Sequence, residues 1–532
     1  MSARAWLPIR CLALIVGLLL GLSACNRPDA PVAGQHLRIA LGANPSTLDP
    51  HRATSTADEA IVANLFVGLT EYDPRSVAPV PELAERWQMS DDATTFTFYL
   101  RRDARWSNGD PVTAHDFVYA WRRILDPATA SEYASMLYPI RHARAVHQGR
   151  LSSASLGVEA LDEHTLRVTM ERPTAYFLQL TSHWAFRLVH RPTVERWGDQ
   201  WTKPEHLVVN GPFLLAEWKP NETLTLKKNP TYWDADYVKL EQATFYLSED
   251  TTALLNLYRV GEIDTMVSGL LPVQQIPLLR QQDDYVSGPF LSLYHYLLNV
   301  TKPPLSRLEV RQALNLSLNR PQICHRVLQA GQQPASGLTP GDFGGQYPRP
   351  PGPSFDLPAA KELMSKAGYP EGRGLRLRLI FSSLDVHRQL AEAAQAQWRA
   401  AFPHIQIELA SMEWQVFRQA RQQRDFDLAM RHWIADYNDP YNFLELMLTN
   451  NSNNQTGWSN PNYDQLIEQA NATSVPNQRF YLLAQAERLL LEELPFIPIY
   501  EGVTFFLSKP YVQGWHTNLL DKHPLKFVRI AK

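Results

Sequence analysis

Between residues 375 and 434 the chain sets a rhythm that only a few architectures can accommodate. Leu375–Phe381 alternates apolar and polar residues, Gln389–Phe402 is alanine-rich and helical, and Ile405–Leu409 alternates again. Trp414–Gln423 then reads as helix and Phe426–Met430 as strand. Strand, helix, strand, helix, strand at this spacing means two crossover connections, hence parallel strands in one sheet with helices on its faces. Open sheets of this kind hold ligands just past the carboxyl ends of their strands. Two segments are expected there, Ser382–His387 and Arg431–Asn438.

The rest of the body reads differently. Before residue 250, Thr94–Leu100, His164–Met170 and Glu222–Lys227 alternate in strand fashion. Thr113 followed by Asp116 resembles a capping box, and Phe117, Trp121, Ile124 and Leu125 then form an apolar helical stripe closed by Pro127. This half is expected to be antiparallel sheet with a few helices. After 434, a helix is expected over Pro476–Glu493, then two strand-like runs, Pro495–Tyr500 and Val503–Leu507. At 532 residues the chain has length for two to four structural units.

The first residues differ in kind. Arg4 and Arg10 precede an uncharged apolar run from Cys11 to Leu22, and Leu22-Ser23-Ala24-Cys25 follows. The run is short for a membrane span, which needs about 20 residues, and suits a secretory leader. The small residues before Cys25 resemble a bacterial lipobox, which implies cleavage before Cys25 and lipidation of its sulfur. Asn26–Gly34, rich in turn formers, suits a tether. With Cys11 removed and Cys25 lipidated, Cys324 stands alone, so no intramolecular disulfide is expected. Lys and Arg total 51 against 54 Asp and Glu, a balance that offers no electrostatic footprint for nucleic acid.

Catalytic signatures are missing. No His-Glu-x-x-His, Gly-x-Ser-x-Gly, Walker loop or Gly-x-Gly-x-x-Gly occurs, and a single body cysteine excludes a multi-cysteine metal site. His142 with His147, and His183 with His190, lack the spacing that puts two ligands on one helical turn. Arg418, Arg421 and Arg424 read as a solvated helix face. The expectation is a protein that is not an enzyme and carries neither cofactor nor metal.

Several segments occur in a fixed order: Pro45–His51, Phe96–Trp121, Asn210–Phe213, Asn229–Trp233, Gly261–Asp264 and Val310–Leu314. Together they resemble the large solute-binding protein family that serves peptide and nickel ABC importers. Ala435-Asp-Tyr-Asn-Asp-Pro440 with Ser452-Asn-Asn454 resembles its oligopeptide-binding branch, which includes murein-peptide receptors. The resemblance implies a mixed α/β, bilobed periplasmic-binding-protein-like fold (type II, cluster C) with an extra β-rich domain. The expected division is leader 1–24, lipidated tether 25–35, a discontinuous lobe I (36–66, 191–291 and 503–532), an inserted β-rich domain 67–190, and an α/β lobe II 292–502.

The resemblance also implies site residues. Asp436 would pair with a peptide α-amine, since a charge-assisted bond needs an acid there, and the backbone of Arg431–Ile434 would pair with the ligand as a strand does. Trp433 and Trp414 would line side-chain pockets, and Tyr133, His387, Tyr437 and Asn438 would also face the ligand. Branch members carry an arginine where this chain has Met430, a lysine where it has Leu328 and an aromatic where it has Gly502, and those basic groups hold the ligand carboxylate. Arg431 or His387 would have to substitute.

The sequence therefore points to an extracytoplasmic, lipid-anchored receptor that captures short oligopeptides and delivers them to an ABC permease. It would act as a monomer, bound to the membrane through Cys25, in the periplasm or on the envelope exterior. Asn26 after the cysteine would favour the outer membrane under Gram-negative sorting rules. The alternatives are a receptor of the same fold for murein tripeptide or a metal chelate, a peptide-binding chaperone or sensor not coupled to import, and a secreted hydrolase with an unsignalled site.

Overall fold

The computed structural model describes residues 34–531 except Asp342, Gly344 and Pro353. The leader, Cys25 and most of the tether lie outside the described residues. In chain order the strands are β1 (His36–Ala40), β2 (Thr70–Tyr72), β3 (Pro79–Pro81), β4 (Ala84–Met89), β5 (Thr95–Leu100), β6 (Val158–Asp162), β7 (Thr165–Thr169), β8 (Phe213–Lys219) and β9 (Thr223–Lys228). There follow β10 (Gln242–Tyr246), β11 (Thr265–Met266), β12 (Tyr285–Leu298), β13 (Gln333–Pro334), β14 (Arg376–Ser382), β15 (Gln406–Met412), β16 (Leu428–Ile434) and β17 (Phe496–Leu507).

Three larger sheets organise the chain. The first, ordered β11-β1-β10-β9-β8, is mixed: β1 runs parallel to β10 and β11, whereas β8, β9 and β10 are antiparallel. This corrects the expectation of a purely antiparallel first half, because β1 enters the sheet across some 200 residues that no local pattern spans. The second sheet, β4-β5-β7-β6, is antiparallel and buries Phe96, Phe98, Leu166 and Val168. Against it packs the Ala114–Ile124 helix, whose Phe117, Trp121 and Ile124 are buried and whose Asp116 carboxylate accepts from the Thr113 N–H at 2.7 Å.

The third sheet, ordered β13-β17-β12-β16-β14-β15, carries the predicted crossovers: β14 is parallel to both β15 and β16. Side chains alternate between its faces. Leu379, Phe381, Leu428 and Met430 join Leu390, Ala394 and Trp398 of the Asp385–Ala401 helix in one core. Ile380 and Ala429 face the other way and join Phe417 and Ala420 of the Trp414–Gln423 helix in a second. Strands β12 and β17 pair along most of their length and run across the expected lobe boundaries near 291 and 502.

Three boundaries differ from the sequence reading. The Asp385–Ala401 helix starts four residues early and takes His387 into its first turn. β16 continues to Ile434, so Arg431–Ile434 belong to the strand and do not follow it. The two runs near the carboxyl end are one strand, β17, in which Pro498 stands where the register with β12 shifts. A bulge there removes the need for the N–H that proline lacks.

Candidate functional site

β14 and β16 are in register only at Leu379–Leu428 and Ile380–Ala429, after which they part. β12 stays paired to β16 up to Ser292–Ile434 on the other side. From Arg431 to Ile434 the edge of β16 facing β14 is therefore free of strand pairing among the described residues. Four residues at about 3.3 Å each leave an edge roughly 13 Å long, open to a strand-like guest.

Asp436 stands just past this edge. Its N–H and the Trp433 indole N–H both donate to Asn442 Oδ1, at 3.3 and 2.9 Å, which fixes the loop against the strand. Burial, partly offset by the Asn442 side chain and Lys522, pushes the Asp436 carboxyl up to about 6. It remains mostly ionised at neutral pH, in an enclosure where an arriving cation would be strongly favoured. Glu59, Tyr72 and Tyr133 all interact electrostatically with this carboxyl. Beside them lies a cavity of about 140 Å³ lined by Glu59, Tyr72, Trp184, Lys522 and Ile434.

The neighbouring loop is anchored. Asp439 accepts two bonds from the buried Arg479, at 2.6 and 2.9 Å. Tyr437 stacks on Tyr176 of the 67–190 segment (5.4 Å, 7°) and its hydroxyl donates to Glu445 at 3.3 Å. Burial, with Asp436 adding to it, pushes Glu445 up to about 8. Tyr437 is thus buried in support of the loop, and Asn438 is half-buried with its Oδ1 lacking a partner.

The other end of the free edge is cationic. Met430 is packed in the core, whereas Arg431 faces the opposite side, buried, with its guanidinium donating to the Asn453 carbonyl and Oδ1 at 2.7 and 3.0 Å. Burial and then Arg421 push Arg431 down to about 9. Arg421, lowered to about 10 by burial and by Arg418, sits over the Phe417 ring with its Nε buried and unpartnered. This corrects the solvated-face expectation: Arg418 and Arg424 are exposed, Arg424 lies beyond the helix end, and Arg421 turns inward. Among the described residues no carboxylate forms an ion pair with Arg421 or Arg431. Sequence reasoning missed Arg421, although its position one helical turn from Phe417 was the available signal.

The remaining candidates spread around this edge. Trp414, 46% exposed, begins its helix past the end of β15. His387 lies past the end of β14, bonded through Nδ1 to Ser382 Oγ at 2.7 Å. Tyr133 meets Asp436 from the 67–190 segment, with its ring edge-on to Trp184 at 5.0 Å. Asp436, Trp433, Arg431, His387 and Trp414 are thus gathered at the carboxyl end of one sheet. At Gly502 a Cβ would collide with Ser292 Oγ and lie 3.4 Å from Phe290 Cδ1, so any side chain there requires Ser292 to shift.

A free strand edge with an acid just past one end and two arginines without carboxylate partners at the other is the chemistry of a ligand-binding receptor. Comparison with known proteins agrees. The signature of "Bacterial extracellular solute-binding proteins, family 5 Middle" spans residues 78–455. The chain is 36% identical to the periplasmic oligopeptide-binding protein OppA of Escherichia coli over 490 residues, 89% of this chain and 88% of that one. Among solved structures it resembles Haemophilus influenzae OppA in complex with RPPGFSPFR (TM-score 0.78, 34% identity, 94% of this chain and 99% of that one). It also resembles the unliganded open form of the murein tripeptide-binding protein MppA (TM-score 0.81, 32% identity, 94% and 98%), a protein of Escherichia coli. The chain belongs to family 5 of the bacterial extracellular solute-binding proteins, and its fold is the mixed α/β bilobed fold of that family with an additional β-rich domain.

Proposed function

We propose that the chain captures short oligopeptides outside the cytoplasm and hands them to an ABC importer, tethered to a membrane through lipid on Cys25. The observation that carries this reading is the polarity of the free β16 edge. A peptide lying antiparallel to β16 would bring its ammonium to Asp436 and its carboxylate toward Arg421, Arg431 and His387, while its main chain takes the unpaired strand groups. Side chains would project toward Trp414, Trp433 and Tyr133, where aromatic walls accept varied shapes. Tyr437 acts by holding the Asp436 loop, and Asn438, whose Oδ1 has no partner, faces the ligand.

Segments 36–66, 191–291 and 503–532 act as lobe I, 67–190 as the inserted domain, and 292–502 as lobe II, with β12 and β17 as the hinge. A ligand that touches both lobes favours the closed form by its differential affinity. The names of the two relatives above, periplasmic receptors for oligopeptides and for murein tripeptide, support both the ligand class and the location. Murein tripeptide is the second reading. Two unpaired arginines at the cationic end suit a ligand with more than one carboxylate, and a murein tripeptide receptor is among the similar structures.

The test is calorimetric titration with a tripeptide and its N-acetyl and C-amide forms. Binding that acetylation abolishes supports the reading, and indifference to acetylation rejects it.

A further inference from the structure

His432 occupies a place that neither the amine grip nor the arginines explain. It is in register with Tyr294, and Tyr294 with Tyr500, so three rings form a row across β16, β12 and β17. His432 stacks on Tyr294 at 3.8 Å and 15°, and Tyr500 stacks on Tyr294 at 4.4 Å and 16°. The Tyr294 ring also meets His387 edge-on at 5.8 Å and 69°. Tyr294 thus touches both imidazoles, His432 on β16 and His387 just past the end of β14, at the end of the sheet where β14 has left β16.

Stacking fixes the plane of His432, yet its Nε2 is buried without a hydrogen-bond partner. Such a nitrogen destabilises the empty site and favours a guest that supplies the missing bond. On its own face of the sheet stand Tyr294 of β12, Tyr500 of β17 and His387, which is bonded to Ser382; Arg421 of the Trp414–Gln423 helix acts on His387, while Arg431, next in β16, points to the other face together with His295 of β12, which interacts electrostatically with His432. Each is neutral or cationic. Burial holds both imidazoles neutral, His432 at about 3 with His387 adding to the effect, and His387 at about 4 with Arg421 adding.

Resting on the peptide reading above, we propose that His432 and His387 form an imidazole pair that receives the ligand's carboxylate together with a proton from bulk water. The carboxylate supplies Nε2 of His432 with its absent partner. An anion beside an imidazole raises its proton affinity, so binding and proton uptake are coupled. Affinity for ligands with a free carboxylate then rises as the pH falls, relative to the same ligands amidated. The amine end works in the opposite sense, since Asp436 must be ionised, but it is common to both ligand forms and cancels in their ratio.

The experiment is calorimetry on the purified protein with Ala-Ala-Ala and its C-terminal amide, from pH 5.5 to 8, in paired buffers of different ionisation enthalpy. The free acid takes up more protons than the amide, and its affinity advantage grows at least fivefold between pH 7.5 and 6. His432→Gln, which keeps a polar side chain that cannot titrate, loses most of that growth, and His387→Gln loses part. An advantage independent of pH, or an equal proton count for acid and amide, overturns the imidazole pair while leaving the peptide reading intact. Failure of both ligands to bind the wild-type protein overturns the peptide reading itself. Melting curves establish that each variant is folded, and the wild-type proton count decides the question without them.

Discussion

Replacing Asp436 with Asn removes the charge proposed to meet a peptide ammonium and changes little else in shape. Enclosure raises the carboxyl from 3.8 to about 6, roughly 2 units, so holding it ionised costs about 3 kcal/mol at 1.36 kcal/mol per unit. An ammonium brought into contact offsets that cost, and the neutral amide cannot do the same. The expected loss is about 3 kcal/mol, or near 100-fold in affinity, within the 2–5 kcal/mol seen when one member of a buried charge pair is truncated. Titration calorimetry at pH 7.5 reads it, with the N-acetyl peptide as the second arm of a double-mutant cycle. Acetylation weakens binding to the wild type by a similar factor and adds little to Asp436→Asn. Because the ionised form is needed, wild-type affinity for the C-amidated peptide falls as the pH drops below about 6. Equal binding of free-amine peptide by wild type and Asp436→Asn would refute the reasoning.

Arg421→Gln lowers affinity for a free-acid tripeptide about tenfold or more, the usual worth of a charged hydrogen bond, and leaves the amide unchanged in the same titration. Arg479→Met strands the buried Asp439 charge and destabilises the protein by about 3–5 kcal/mol in urea unfolding, with weaker ligand binding because the Asp436 loop loses its anchor. Glu445 is raised from 4.5 to about 8, so its contribution to stability is full below about pH 4.5 and is lost as the pH rises through 8. Glu445→Gln removes that loss and gains about 3 kcal/mol over wild type at pH 8 relative to pH 5. Gly502→Ala pushes a methyl group into Ser292 and lowers the melting temperature.

The strand-helix-strand core of the third sheet was legible because its periodicity is local: β14, β15 and the helix Trp414–Gln423 follow directly from alternation and spacing. The start of the helix at Asp385 was not, since Leu384 at its N-cap offers no capping side chain to mark it. β16 runs on to Ile434 because β12 pairs with it, although Arg431 and His432 look like loop residues. Long-range pairing likewise hides the parallel entry of β1. At the candidate site, Asp436 and Trp433 enter by resemblance, whereas Arg421 reads as solvated in the sequence because only the tertiary fold turns it inward toward Arg431. His432 carries no sequence signal, and its role emerges only from the ring row that β12 and β17 build around it.

A crystal structure of the protein with a bound tripeptide tests the central claim most directly. The account predicts the main chain antiparallel along Arg431–Ile434, its ammonium on Asp436 and its carboxylate toward Arg421, His387 and His432. A ligand lodged away from the β16 edge, or lying along it with its carboxylate toward Asp436, would contradict it.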